Sequence, residues 1–557
     1  MMLYPLALAA ALLTAQDAAP AVVEVDVIQA SPDFDAAMDA GDARKALALL
    51  EPDVKACIAA NGGDGAAPEQ LRPCVMLISM WSLVMGETGR VQEAVATARR
   101  AVAIAATFEE ASGMSMNARF MLGAALERIG RHGEAEPEFI AALAAAEVLF
   151  AGDPLLANYL GRRANNLVMQ GRHAEALPLA RRAVEMAGDT IEGAVFRMME
   201  GTALTRLGQL AHAEATLRIA VARLDALMGS RATQSIRVRE ALAHCLEQQN
   251  RTTESLALWR ETVALRRAEG DSPDLADSLS GLSVLLVRTG EYREAEAAAR
   301  EALAIRLRFF GEASNFTGLA YNNLGLVLME SGQIEAAAAM YGRSIEVIKA
   351  SGVVNIDEMI AIMTNLASVL VRLGETGQAI DVQRQILDYA ERAFGPGHVR
   401  SVMARNNLGA ALGGAGRHVE AIALLEANYA AAKALGPQGM QIAAQTASSL
   451  AAFLGREGNA AKARLWFARA DADSRTAFRP DHIHRILLGW SHGNFLISED
   501  VALPLARTLL LEAGTQTLAR MASGQGFDAQ AQAEMGRLTR VFRDQVRAAW
   551  MLAQPAR

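Results

Sequence analysis

The stretch Tyr321–Tyr341, YNNLGLVLMESGQIEAAAAMY, decides the fold. Gly332 divides it into two helical segments, and glycine suits the left-handed residue that often closes a helix. The first segment carries Tyr321 and the pair Leu324-Gly325. The second carries Ala337 and, four positions on, Tyr341. Small residues on both sides of a turn let two antiparallel helices approach closely.

The pattern recurs in register. Turn anchors fall at Gly89, Gly130, Gly171, Gly208, Asn250, Gly290, Gly332, Gly374, Gly416 and Gly458, at intervals of 41, 41, 37, 42, 40, 42, 42, 42 and 42 residues. Five residues after each anchor stands Ala or, once, Ser255; seven before stands Gly, Ala or Ser. A bulky side chain in either column would push the helices apart. Ten hairpins with no large residue at either place argue against chance in an alanine-rich chain.

These residues match the W-x2-L-G-x2-Y…A-x3-F pattern, and the chain resembles the tetratricopeptide repeat proteins in it. Its 42-residue period exceeds the usual repeat of about 34 residues, which longer helices would absorb. The segments ALAIRLRFFGEASNFTGLAYNNLG (302–325) and ILDYAERAFGPGHVRSVMARNNLG (386–409) resemble the long-period repeats of kinesin light chains and related bacterial proteins. The resemblance covers residues 75–512 and departs from the short family in lacking the repeat-ending proline. It implies an all-α, right-handed superhelical solenoid of stacked tetratricopeptide hairpins with terminal capping helices. It also implies a concave groove that holds a peptide or protein partner.

The flanks read differently. Leu3–Leu13 is apolar and too short to span a bilayer; Ala15 and Ala19-Pro20-Ala21 follow as cleavage sites. Residues 1–21 are therefore read as a bacterial signal peptide, although no Lys or Arg precedes the apolar run, and export to the periplasm or cell envelope is expected. Residues 22–74 are read as a linker and an N-terminal capping half-repeat, in which Phe34 stands where a small residue belongs. Cys57 and Cys74 flank a glycine-rich loop, which in an exported chain reads as a disulfide; two unpaired thiols are the alternative. Cys245 reads as a buried small residue. Beyond Gly458, a further repeat can be aligned on Asp500, but Leu505 replaces its small residue. Residues 513–557 are read as a C-terminal capping segment, with Met535, Leu538, Val541, Phe542, Val546 and Trp550 at helical spacing. A partner- or membrane-binding amphipathic tail is the alternative.

Composition and motifs exclude several classes. The net charge is −8, with five lysines and no basic cluster, so neither a nucleic-acid surface nor a lysine phosphate cradle is expected. No apolar run after the leader is long enough for an integral membrane segment. Gly489-Trp490-Ser491-His492-Gly493 matches G-x-S-x-G, which signals a nucleophile only between a strand and a helix. A helical repeat offers no such elbow, so Ser491 defines only the alternative reading, a regulatory protein or hydrolase with an active C-terminal segment. His482, His484 and His492 lack metal-ligand spacing with an acidic partner. No catalytic residue, cofactor or metal is expected.

The candidate binding residues follow from the register. Arg128, Arg206, Arg288, Arg372 and Arg456 lie two before their anchors. They form either a ladder for acidic ligands, with Arg288 and Arg372 central, or cations placed on helix C-terminal dipoles. Asn323, Asn365 and Asn407 lie nine before theirs, with Asn322 and Asn406 one earlier. Asparagine is a poor helix-interior residue. Its carboxamide can bond a peptide C=O and N–H together; bonding to a neighbouring helix is the alternative. First-helix asparagines play the peptide-gripping part in kinesin-light-chain-like repeats, which the motif NNLG resembles.

Overall fold

The structure is a computed structural model describing residues 32–39, 42–88, 90–108, 112–352, 355–523 and 540–549. The expected leader, most of the linker, Gly89, Met535, Leu538 and Trp550 lie outside the described residues. Among those described there is no strand, and 25 helices pack in consecutive pairs. The long period is absorbed by helix length: the Gly332 hairpin joins Asn315–Glu330 to Ile334–Ala350.

The turns form where the anchors were counted. Gly130, Gly171, Gly208, Gly290, Gly332, Gly374, Gly416 and Gly458 have φ between 74° and 84°, and Asn250 has φ 60°. In this conformation the next N–H reaches back to the last turn of the first helix. Gln333 donates to the Leu328 carbonyl at 2.8 Å, and Arg417 to the Leu412 carbonyl at 2.9 Å. These bonds satisfy carbonyls that a helix end otherwise leaves open.

The small columns are the hairpin interface. Every described residue five after an anchor, from Ala94 to Ala463, is at most 1% exposed. Opposite them, Gly123, Gly201, Gly325 and Gly409 face Phe139, Leu217, Tyr341 and Leu425. A Cβ on Gly409 would stand 2.4 Å from Leu425, and one on Gly123 would stand 2.6 Å from Phe139. The glycines therefore leave room for the large residue nine after the anchor. Where Ala164 or Ser283 replaces glycine, Ala180 or Ala299 takes that place, whereas the hairpins with Ala243, Ala367 and Ala451 keep Trp259, Gln383 and Phe467 there, so volume is traded at some hairpins and not at others.

The chain forms two compact units, residues 1–269 and 270–557. Within each, hairpins stack in chain order. Several neighbouring first helices touch, whereas neighbouring second helices stay further apart. The first helices thus lie on the inner side of each unit's curve.

The N-terminal unit opens with the pair Pro32–Asp39 and Ala43–Ala60, which buries Phe34 and Ala46. Asp42 caps the second of these helices by accepting from the Lys45 N–H. Cys57 and Cys74 are joined as a disulfide with Cα atoms 5.8 Å apart. The loop between them carries a short 3-10 helix, Pro68–Cys74, that glycine content alone did not reveal. Cys245 is free and buried.

The C-terminal unit contains one regular hairpin more than the small-residue count suggests. Ile483–Ser498 and Leu503–Ser523 pair around Asp500, φ 52°. Ala502 also has a positive φ, 47°, so the turn is one residue longer. Ala506 therefore takes the buried place, at 0% exposed, while Leu505 is 47% exposed. Gly493 faces Leu510 as its counterparts face theirs. The helix Leu503–Ser523 also runs across residue 512, where the array was expected to end. Helix 540–549 then covers this hairpin, burying Val541 and Ala548. Asp544 accepts from Trp490 Nε1 at 2.7 Å and Asn494 Nδ2 at 3.1 Å, which pins the cap to the last first helix.

Candidate peptide-binding face

In the C-terminal unit the inner surface is built from positions nine and ten before each anchor. Position nine holds Gly281, Asn323, Asn365, Asn407, Ser449 and Ser491; position ten holds Ser280, Asn322, Thr364, Asn406, Ser448 and Trp490. This double row contains no ionisable side chain. All of these except buried Asn406 are half-buried, as expected for a face turned from the hairpin core but flanked by neighbouring first helices.

The asparagines divide into two groups. Asn365 Nδ2 donates to Asn322 Oδ1 of the preceding hairpin at 3.3 Å, and Asn322 Nδ2 donates to Asn323 Oδ1 at 3.4 Å. Asn406 accepts from Thr446 Oγ1 of the following hairpin at 2.8 Å, and that hydroxyl also receives Asn428 Nδ2 at 3.5 Å. Asn322, Asn365 and Asn406 thus bond between neighbouring hairpins. Asn407 makes no hydrogen bond among the described residues, and the Asn323 amide N–H groups remain available. These two carry the unspent capacity of the row.

The arginines lie at one edge. Arg288 and Arg372 are exposed. Arg372 Nη1 donates to the Met329 carbonyl of the preceding first helix at 3.4 Å. Arg128 makes the analogous approach in the N-terminal unit: a Cβ on Gly86 would lie 3.0 Å from Arg128 Cδ. Both reach towards the C-terminal end of a preceding helix, where a cation is favoured, and keep the rest of the guanidinium at the surface.

The same register in the N-terminal unit holds something the asparagine count passed over. Arg162, nine before Gly171, pairs with Glu127 of the preceding hairpin at 2.7 Å, with side chains 19% and 7% exposed. Burial pushes the Glu127 carboxyl above its ordinary range, and Arg162 opposes that only in part. Counting all residue types at position nine, rather than asparagine alone, would have found it.

The C-terminal motifs sit on helix. Ser491 and His492 belong to Ile483–Ser498, so Ser491 does not occupy a strand-to-helix elbow. His492 stacks on Phe467 at 4.5 Å and bonds Asp471 at 2.9 Å. His482 Nδ1 accepts from the His484 N–H at 3.1 Å and so caps this helix. His484 is driven down to about 4 by burial. Among the described residues no group of His, Cys, Asp or Glu could hold a metal ion, and no helix is long and apolar enough to cross a membrane.

The tetratricopeptide repeat family model matches residues 113–189, 234–308, 274–350 and 358–434. The chain is a tetratricopeptide repeat protein. Solved structures with similar repeats include a Podosopora anserina chain described as a kinesin light chain with nearly identical TPR-like repeats. It is 18% identical over 35% of this chain and 94% of that one, with a TM-score of 0.33. BtubC (BKLC) from P. vanneervenii is 18% identical over 42% of this chain and 92% of that one, with a TM-score of 0.36. At these scores the likenesses say nothing about partners. No curated protein matches the chain. Tetratricopeptide repeats mark a scaffold for protein–protein interaction.

Proposed function

We propose that the inner face of the C-terminal unit grips an extended peptide segment of a partner protein, outside the cytoplasm of a bacterium. The observation that supports this most directly is the uncharged row centred on Asn323 and Asn407, whose carboxamides have donors and acceptors to spare. A row without charge suits the backbone of an extended chain, which offers one donor and one acceptor per residue and no net charge. Arg288 and Arg372 at its edge favour acidic side chains on that peptide. The Cys57–Cys74 bridge and the apolar run at Leu3–Leu13 support export, since disulfides persist in oxidising compartments.

The test starts from cross-linked capture of the tagged protein in its native envelope. Overlapping peptides of the captured partner are then titrated against the purified chain. Asn323→Ala with Asn407→Ala is expected to weaken peptide binding at least tenfold with helicity unchanged. Unaltered affinity in that folded double variant would exclude this face. Mass analysis of the mature N-terminus checks export separately: a chain still starting at Met1 in the cytoplasm rejects it.

A further inference from the structure

The helices Leu503–Ser523 and 540–549 meet along one edge of each. Gln545 Nε2 donates to the Leu510 carbonyl at 2.6 Å, and a Cβ on Gly514 would lie 2.4 Å from the same amide nitrogen. Residues three and four apart share a helix face. Leu511 and Leu518, three before and four after Gly514, therefore border this junction from one side. Phe542 and Ala549, three before and four after Gln545, border it from the other, with Val546 beside them.

This border is apolar and open. Val546 is 70% exposed, Leu511 58% and Leu518 57%, and Phe542 is half-buried. Thr508 and Thr515 lie on the same exposed face of Leu503–Ser523. Their hydroxyls donate to the Pro504 and Leu511 carbonyls at 3.0 and 2.9 Å, so they are spent within the helix. The end of a helical stack ordinarily carries a polar outer face, and a contiguous apolar patch there marks a docking surface.

The charges around the patch have one sign. Arg507 stands four before Leu511, and Arg540 and Arg547 stand four before and three after Asp544, with Arg543 between them. All four arginines are exposed. The acids of the two helices are turned aside. Asp544 is 7% exposed and accepts from Trp490 and Asn494; Arg543 lies 3.6 Å from it and keeps 74% of its own side chain exposed. Glu512 accepts from Gln516 Nε2 at 2.9 Å and faces Arg485 at 3.5 Å. The exposed acids Glu499 and Asp500 belong to the turn, at the far end of the helix from Leu518. A chain of net charge −8 thus presents here a cationic rim around an apolar patch.

We infer that this end of the C-terminal unit docks on an anionic lipid bilayer. The guanidinium groups of Arg507, Arg543 and Arg547 pair with lipid phosphates, which their planar fork suits. Leu511, Leu518 and Val546 enter the boundary between headgroups and acyl chains, as the apolar face of an interfacial helix does. Each arginine near a negative surface adds to the attraction, and a bilayer supplies phosphate and hydrocarbon together across the whole patch. The contact is peripheral. It is independent of the peptide face, because none of these residues belongs to the double row.

The test is co-sedimentation of the full chain with vesicles of phosphatidylcholine and phosphatidylglycerol, against vesicles of phosphatidylcholine alone. The protein is expected to pellet with the anionic vesicles, to stay in solution with the neutral ones, and to be released by high salt, which screens the arginines. Arg543→Glu with Arg547→Glu should weaken the partition by about tenfold or more, and Leu511→Ser with Leu518→Ser should weaken it severalfold. All four side chains are exposed, so both double variants should keep the melting temperature of the unaltered chain. Equal pelleting with neutral vesicles, none with anionic vesicles, or indifference to either double variant would overturn the proposal. So would an unaltered chain that is dimeric by light scattering and becomes monomeric with Leu511→Ser and Leu518→Ser, since a second copy would then cover the patch.

Discussion

Nine residues before the turn, the N-terminal unit presents Met80, Met121, Arg162, Met199 and Ala241; the C-terminal unit presents Gly281, Asn323, Asn365, Asn407, Ser449 and Ser491. The hairpin interface behind them is built alike in both: a buried small column, with Gly123 and Gly201 in one unit and Gly325 and Gly409 in the other making room for a large residue opposite. What differs is how neighbouring first helices meet. In the N-terminal unit Arg162 and Glu127 meet as a largely buried ion pair at 2.7 Å. In the C-terminal unit Asn365 and Asn322 meet as two neutral amides at 3.3 Å. Packing within a hairpin is held constant while the inner surface varies, so binding chemistry can change without rebuilding the fold.

The contrast should appear in hydrogen exchange read hairpin by hairpin, because long arrays do not unfold as a single two-state body. The largest effect is expected from Arg162→Met. It strands a buried carboxylate and should destabilise the hairpins around Glu127 by about 3 kcal/mol. Glu127→Gln in the same chain should restore most of that loss; failure to do so would mean that the pair does not govern this joint. The pH dependence follows from the upward shift of Glu127 from 4.5. An acid raised in the folded state binds more protons folded than unfolded between its ordinary and raised values. Stability from this group therefore increases as pH falls through that window, and the Arg162→Met defect should shrink as the medium is acidified. Asn365 does not titrate, so its joint should show no such trend.

Opening the Cys57–Cys74 loop, whose ends are 17 residues apart, should cost about 3 kcal/mol in the chain-entropy view. The loss should be confined to exchange protection around Ala43–Ala60. Protection lost throughout the N-terminal unit would show that its hairpins are less independent than stacking in chain order implies. A smaller and symmetrical effect is expected from overpacking. Gly123→Val and Gly409→Val should each cost about 2 kcal/mol, since both glycines face a side chain closer than a Cβ allows. Tolerance in one unit alone would break the claim that the hairpin interface is shared. The smallest effect should come from Asn365→Ala, about 1 kcal/mol for one net hydrogen bond. If this single change instead abolished peptide binding while stability held, Asn365 would be a contact residue and not a tie between hairpins.

Much of the fold was legible because its determinants are local. A glycine at positive φ and a small residue at a fixed offset depend on neighbours within one hairpin, so counting from Gly332 located the described turns from Gly130 to Gly458. The same counting aligned the last hairpin on Asp500 but read it as degenerate. It required a small residue at 505, whereas the second left-handed residue at Ala502 moves that place to Ala506. The candidate site was legible in register but not in partnership. Asn322, Asn323, Asn365, Asn406 and Asn407 could be aligned by number. Only the stacking of hairpins showed that Asn365 is spent on Asn322 and Asn406 on Thr446, while Asn407 makes no hydrogen bond among the described residues.

By itself the sequence determined the helical hairpin, its period, its turn residues and its small-residue interface. These rest on φ preferences and side-chain volumes that act across one turn. The tertiary structure decided which asparagines lack a partner among the described residues, where Glu127 finds Arg162, and how Asp544 anchors the last helix to Trp490. Each of these depends on atoms roughly one repeat or more apart in the chain. Their meeting is set by the pitch at which one hairpin lies on the next, a quantity that no local residue pattern encodes.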